Sequence, residues 1–301
     1  MLKNIIPKPK RTELVKMIEN IPQTPGEIPQ TPGETHELHM NAESLLELRN
    51  VTVVRGGKKI LDSVSLSVKP GEHVAIIGPN GSGKSSLIKT FMKEYHPLVG
   101  AEGTVLKIMG RKTWHVFELR KMLGIVSGDL QQTCCRPIRV LDVVLSGFFS
   151  SIGIYYNHRV TPEMEVRARE VLSFLEVAWL ADRLMSEIST GEARKVLIAR
   201  ALVHDPQVLI LDEPSNSLDL KALHTFRESV RKIAHSGKSV VLVTHDLQDV
   251  IPEISRVILI RNGRVFRDGK KEEILTDANL SELFSLPVKV LENEGYYQAW
   301  T

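Results

Sequence analysis

Three short apolar runs, Val74 to Ile77, Val208 to Leu211 and Val240 to Val243, are continuous where a half-buried strand would alternate, and each ends in a polar cluster. Continuous runs of this length suit strands covered on both faces, as in a parallel sheet flanked by helices. The clusters read GPNGSGKSS, DEPS and THD. Open parallel sheets bind ligands beyond the carboxyl ends of their strands, so the three clusters are expected to converge on one site. Strand-like and helix-like patterns alternate from Leu45 to about Leu286 without a linker. That describes one domain of α/β class.

The first cluster is the most specific. Gly78, Gly83, Lys84 and Ser85 satisfy G-x-x-x-x-G-K-[ST], with a strand before them and the helical pattern Leu87, Ile88, Phe91, Met92 after. The loop runs through Pro79, Asn80, Gly81 and Ser82 and opens its helix with Ser86. Its backbone N–H groups are expected to cradle the phosphates of ATP, with Lys84 on the β and γ phosphates and the Ser85 hydroxyl on Mg²⁺. In the second cluster Asp212 ends its strand and is expected to hold Mg²⁺ through water. Glu213, one residue on, is placed to orient or deprotonate the attacking water. In the third, a neutral His245 imidazole can donate a hydrogen bond to the γ-phosphate; alone, it would read as an ordinary surface histidine.

Residues 187–202, EISTGEARKVLIARAL, raise a different problem. Ser189 occupies an N-cap position and Glu192 completes a capping box, which makes a sound helix start. The positive end of such a helix suits an anion, yet no Lys or Arg precedes it to anchor one. Another site must present the phosphate. Two chains related by a twofold axis can each offer this helix to the other's nucleotide, so a homodimer formed on ATP binding is expected. Hydrolysis would remove the γ-phosphate contacts and let it open.

The ordered set GPNGSGKSS, ISTGE, VLILDEP, NSLD and VTHD resembles an ATP-binding cassette (ABC) ATPase over roughly residues 45–285. By that resemblance ISTGE is the signature motif, with Ser189 and Gly191 matching its Ser and second Gly, while Thr190 and Glu192 replace the usual Gly and Gln. Asp219 matches the aspartate that contacts the partner subunit. The resemblance implies a P-loop NTPase with a RecA-like core, an N-terminal antiparallel β subdomain at about 45–75 and an inserted helical subdomain at about 129–190. It also implies an ATPase subunit on the cytoplasmic face of the inner membrane, held there by separate transmembrane permease subunits. Cargo stays open, because such a subunit does not touch it.

Two positions depart from the pattern. Where the family usually carries a Gln that touches Mg²⁺ and the attacking water, this chain reads VSGDLQQ, with Gly128 in the Gln position. Asp129 or Gln131 is expected to take over part of that role, Asp129 as a metal ligand. Where the family often stacks an aromatic on adenine, this chain has Arg55. A guanidinium can also stack on a purine face, with weaker base preference.

A formal net charge of +3 gives no case for nucleic acid as a partner. The longest apolar stretches are far short of the roughly 20 residues needed to span a bilayer. The N-terminus lacks a signal-peptide pattern, and the only cysteines, Cys134 and Cys135, are adjacent, which excludes a disulfide framework and a CxxC metal site. A cytoplasmic location follows as the expectation. Residues 1–44 form an N-terminal extension: a basic segment, read as a frayed tail or as a surface-docking arm, then IPQTPGE written twice, whose prolines suit a solvated linker. Residues 286–301 read as a C-terminal tail that either folds back or does not. The apolar stretch 143–157 fits either subdomain core or a docking surface. The alternative function is a soluble, non-transport ABC ATPase such as one of iron-sulfur cluster assembly. A kinase would leave the signature helix without purpose.

Overall fold

The computed structural model describes residues 44–98, 103–128, 130, 133, 136–216 and 218–301. The basic segment, the IPQTPGE repeat, Asp129, Gln131, Cys134, Cys135 and the Ser217 of NSLD lie outside the described residues.

The chain begins with β1 (Leu46–Arg55) and β2 (Lys58–Val68), an antiparallel pair, followed by β3 (His73–Ile77) and α1 (Lys84–Phe91). After β4 (Val105–Ile108) come α2 (Val116–Met122) and β5 (Leu123–Val126). The helical part contains α3 (Val140–Leu145) and α4 (Pro162–Phe174) and leads into α5 (Thr190–Leu202). Then β6 (Val208–Asp212), α6 (Leu220–His235), β7 (Ser239–Thr244), β8 (Arg256–Arg261) and β9 (Arg264–Lys270) complete the central layer. The chain closes with α7 (Asp277–Phe284) and the hairpin β10 (Lys289–Asn293) and β11 (Tyr296–Trp300).

A six-stranded sheet in the order β5-β6-β7-β3-β8-β9 forms the centre; it is parallel except for β9, which runs antiparallel to β8. The three apolar runs are β3, β6 and β7, adjacent in this sheet. Their continuity has a direct cause. Ala75, Ile77, Leu209, Leu211, Val240 and Leu242 face a core shared with α5, α6 and the helical part, whereas Val74, Ile76, Val208, Ile210, Val241 and Val243 face a second core under α1 and the antiparallel sheet. Both faces are dry, so neither tolerates a polar residue.

One expectation is adjusted, and two segments that the sequence left open take a definite form. The antiparallel sheet has the order β2-β1-β4, so it draws a strand from residues 105–108, while β3 belongs to the central sheet and not to a subdomain at 45–75. Leu46 to Arg49 would otherwise leave one ladder edge open, and buried Leu106 and Ile108 close it. Residues 286–301 are no loose tail: β10 and β11 pair, and Val288 and Tyr297 are buried in the larger core. The stretch 143–157 divides, with Val143 to Leu145 buried and Tyr155 and Tyr156 exposed. Among the described residues no helix is long and apolar enough to cross a membrane.

Candidate functional site

The carboxyl ends of β3, β6 and β7 lie side by side, so the loops that leave them share one edge of the sheet. The β3 loop is shaped by its glycines. A Cβ on Gly78 would sit 2.3 Å from the Ile260 carbonyl oxygen and 2.7 Å from Ser82 Oγ. Gly83, at φ +107, would place a Cβ 2.9 Å from the Ile60 carbonyl oxygen. Ser82 N donates to Pro79 O, and Gly263 N, from the β8–β9 turn, donates to Ser82 O at 2.8 Å. The turn between the last two sheet strands therefore braces the loop.

Lys84 is the first residue of α1 and almost wholly buried. Its Nζ donates to Gly78 O at 2.7 Å and Pro79 O at 3.3 Å and lies 3.3 Å from Glu213 Oε1. The other oxygen of Glu213 accepts from His245 Nδ1. One residue from each cluster thus enters a continuous chain, Lys84–Glu213–His245. Glu213 is held there at φ +49 while its N–H donates to Val243 O at 2.8 Å. A left-handed backbone is unfavourable for a residue with a Cβ, and the bond to β7 helps to maintain it.

Ser85, Asp212, Glu213 and Asn216 line one open cleft of about 710 Å³. Hydroxyl and carboxylate oxygens are the hard donors Mg²⁺ takes, and that ion is usually held by one or two carboxylates with phosphates and water filling the remaining positions. Ser85 and Asp212 fit such a role. Among the described residues no cluster of three or more His, Cys, Asp or Glu could cage a metal by itself. Gly128 also lines the cleft, and an added Cβ there would meet nothing within 4 Å.

Behind His245 the chain folds tightly. Asp246 N donates to Thr244 Oγ1, Asp246 Oδ1 accepts from Gln248 N, and Thr244 Oγ1 bonds the buried Asp249 carboxyl. Burial pushes Asp249 up to about 6, against the lowering effect of hydrogen bonds from Ser215 and Thr244; the charges of Asp246 and Glu213 add to the rise.

Ser189, Gly191 and Asp219 do not line the cleft, and neither do Arg55, Lys84 and His245, of which Lys84 and His245 join it through Glu213. Ser189 caps α5: its Oγ accepts from Glu192 N at 3.3 Å, and Glu192 Oε2 accepts from Ser189 N at 2.7 Å. Asp219 caps α6, accepting from Ala222 N at 2.7 Å. A Cβ on Gly191 would lie 2.8 Å from the Ala222 Cβ, so the starts of the two helices press together. Arg55 stands at the tip of β1 with its guanidinium 4.6 Å from the Tyr95 ring centroid and bonded to the Tyr95 hydroxyl. Tyr95 was not foreseen. It lies three residues beyond the α1 cap, and nothing local in the sequence links it to a strand tip.

Residues 61–216 match the family model described as "ABC transporter". The chain is 36% identical to an uncharacterized ABC transporter ATP-binding protein, YlmA, of Bacillus subtilis, over 83% of this chain and 94% of that one. It is 34% identical to the hemin import ATP-binding protein HmuV of Chelativorans, over 82% and 93% respectively. Among solved structures it is similar to a dimeric, post-hydrolysis ATP-binding cassette bound to ADP and Pi, with a TM-score of 0.61, 30% identity, and coverage of 75% of this chain and 98% of that one.

Proposed function

This chain belongs to the ABC transporter family, and from that premise we propose that Lys84, Ser85, Asp212, Glu213 and His245 form the site at which it hydrolyses ATP. It is the ATP-binding, ATP-hydrolysing subunit of an ABC transporter. The observation that carries the site assignment is the Lys84–Glu213–His245 chain, built from three strand ends at one sheet edge.

On this reading the Gly78 to Ser86 loop wraps the phosphates, and Lys84 exchanges its loop carbonyls for phosphate oxygens. Bound Mg²⁺, held by Ser85 and Asp212, would supply charge neutralisation between the β and γ phosphates. Glu213 accepts the proton of the attacking water, and His245 contacts the Glu213 carboxylate through Nδ1; donation to the γ-phosphate from Nε2 at the same time requires a proton on both ring nitrogens. Arg55, held by the Tyr95 ring and hydroxyl, offers its guanidinium to the base. Ser189, Gly191 and Asp219 serve the nucleotide of a second copy, which agrees with the dimeric state of the similar cassette. The exposed Tyr155 and Tyr156 suit contact with separate membrane-spanning subunits on the cytoplasmic face. The transporter names of the relatives favour this reading over a soluble, non-transport ATPase.

Size-exclusion with light scattering on Glu213→Gln tests the shared site. Addition of ATP and Mg²⁺ is expected to convert monomer to dimer, Ser189→Arg is expected to prevent it, and ATP turnover should fall at least about 100-fold. A variant that binds ATP yet stays monomeric would refute the shared site.

A further inference from the structure

The C-terminal hairpin reaches the segment that follows His245. Its strand β11 packs against the 247–249 turn. A Cβ on Gly295, at the hairpin's own turn, would lie 3.1 Å from Pro252, so the two segments are in close contact. Buried Lys271 ties them further, with Nζ donating to Pro252 O at 3.0 Å and to Gly295 O at 3.4 Å. Above the turn, Arg227 of α6 donates through both Nε, at 2.6 Å, and Nη2 to the Gln248 carbonyl, three residues beyond His245. The face of Tyr296 lies 5.1 Å from the Arg227 guanidinium carbon.

These contacts form a stack of hairpin ring, guanidinium and turn carbonyl. Two donors converging on one carbonyl oxygen restrain the turn against α6 more tightly than a single donor would. Inside the turn the Asp246 side chain and the Thr244–Asp249 bond carry that restraint back to His245.

We infer that the C-terminal hairpin is a strut for catalysis: Tyr296 and Arg227 are positioning residues that hold His245 against Glu213. The inference rests on the assignment of His245 to the ATPase site. It concerns the geometry of the reaction and not the binding of nucleotide, since Arg227 and Tyr296 reach His245 only through the 247–249 turn.

Steady-state ATP hydrolysis by the full chain, assembled with its membrane partner or alone, tests it. Tyr296→Ala is expected to lower kcat about tenfold or more, as small misplacements of reacting groups do, with KM for ATP within about twofold. Tyr296→Phe, which keeps the ring over the guanidinium, should restore kcat. Arg227→Lys, which keeps the charge and loses the fork, should also lower kcat and provides the test if Tyr296→Ala fails to fold. Amides 246–250 should exchange hydrogen faster in the impaired variants. His245→Ala is the control. Should it abolish turnover while Tyr296→Ala and Arg227→Lys keep wild-type kcat, the strut is refuted and the site assignment stands. Loss of kcat that Tyr296→Phe does not restore, or that comes with an equal rise in KM, also refutes it. Full turnover in His245→Ala overturns both.

Discussion

Asp249 shows what one buried carboxyl does beside a reacting edge. It is 2% exposed, bonded to Thr244, and titrates near 6 instead of near 3.8. The folded chain holds this proton more tightly than the unfolded chain, so the associated stability is complete below the unfolded value and is lost as pH rises through about 6. Between pH 5 and 7.5 the wild type is expected to lose about 1 kcal/mol of unfolding free energy through this group, at about 1.4 kcal/mol per unit of pKa. Asp249→Asn should flatten that interval in urea unfolding curves; an unchanged slope would show that the carboxyl does not titrate there.

Among the elements, α5 makes the dual use of a helix start explicit. The capping box was readable because its partners are three residues apart, and the structure reproduces both of its bonds. Ser189→Ala is expected to cost about 1 kcal/mol of stability through the cap alone. It should also lower the ATP-dependent dimer population if the same hydroxyl serves a partner's phosphate, and chemical denaturation with light scattering separates the two effects. The C-terminal hairpin left only a partial local signal: Gly295 follows Glu294 in a two-residue turn with both φ positive, but the strands KVLEN and YYQAW do not alternate. Arg55 on Tyr95, Arg227 on Gln248 and Asp249 on Ser215 carried none, because their partners meet only after distant elements have packed. Local periodicity and motif spacing therefore revealed the sheet centre and the phosphate loop, while the supports around the site emerge only in three dimensions.

At the scale of the whole molecule, the central sheet separates two cores that fail differently. Phe91 lies wholly inside the smaller core and anchors α1, which carries Lys84 at its other end. Phe91→Ala is expected to destabilise the fold by about 3–5 kcal/mol. ATP should recover part of that loss in thermal melts, because a ligand that binds only the folded form raises its stability. No recovery would show that the folded variant does not bind ATP. The strand order has one more consequence, which concerns time. β3, from which the loop departs, is clasped between β7 and β8, and both strands come from far later in the chain. At the about 5–20 residues made per second during synthesis, the ribosome releases the loop roughly ten seconds or more before the strands that hold it. A nascent chain thus carries the whole phosphate-binding sequence with no edge to form it on, and the ability to take up nucleotide comes only once β7 and β8 have been made.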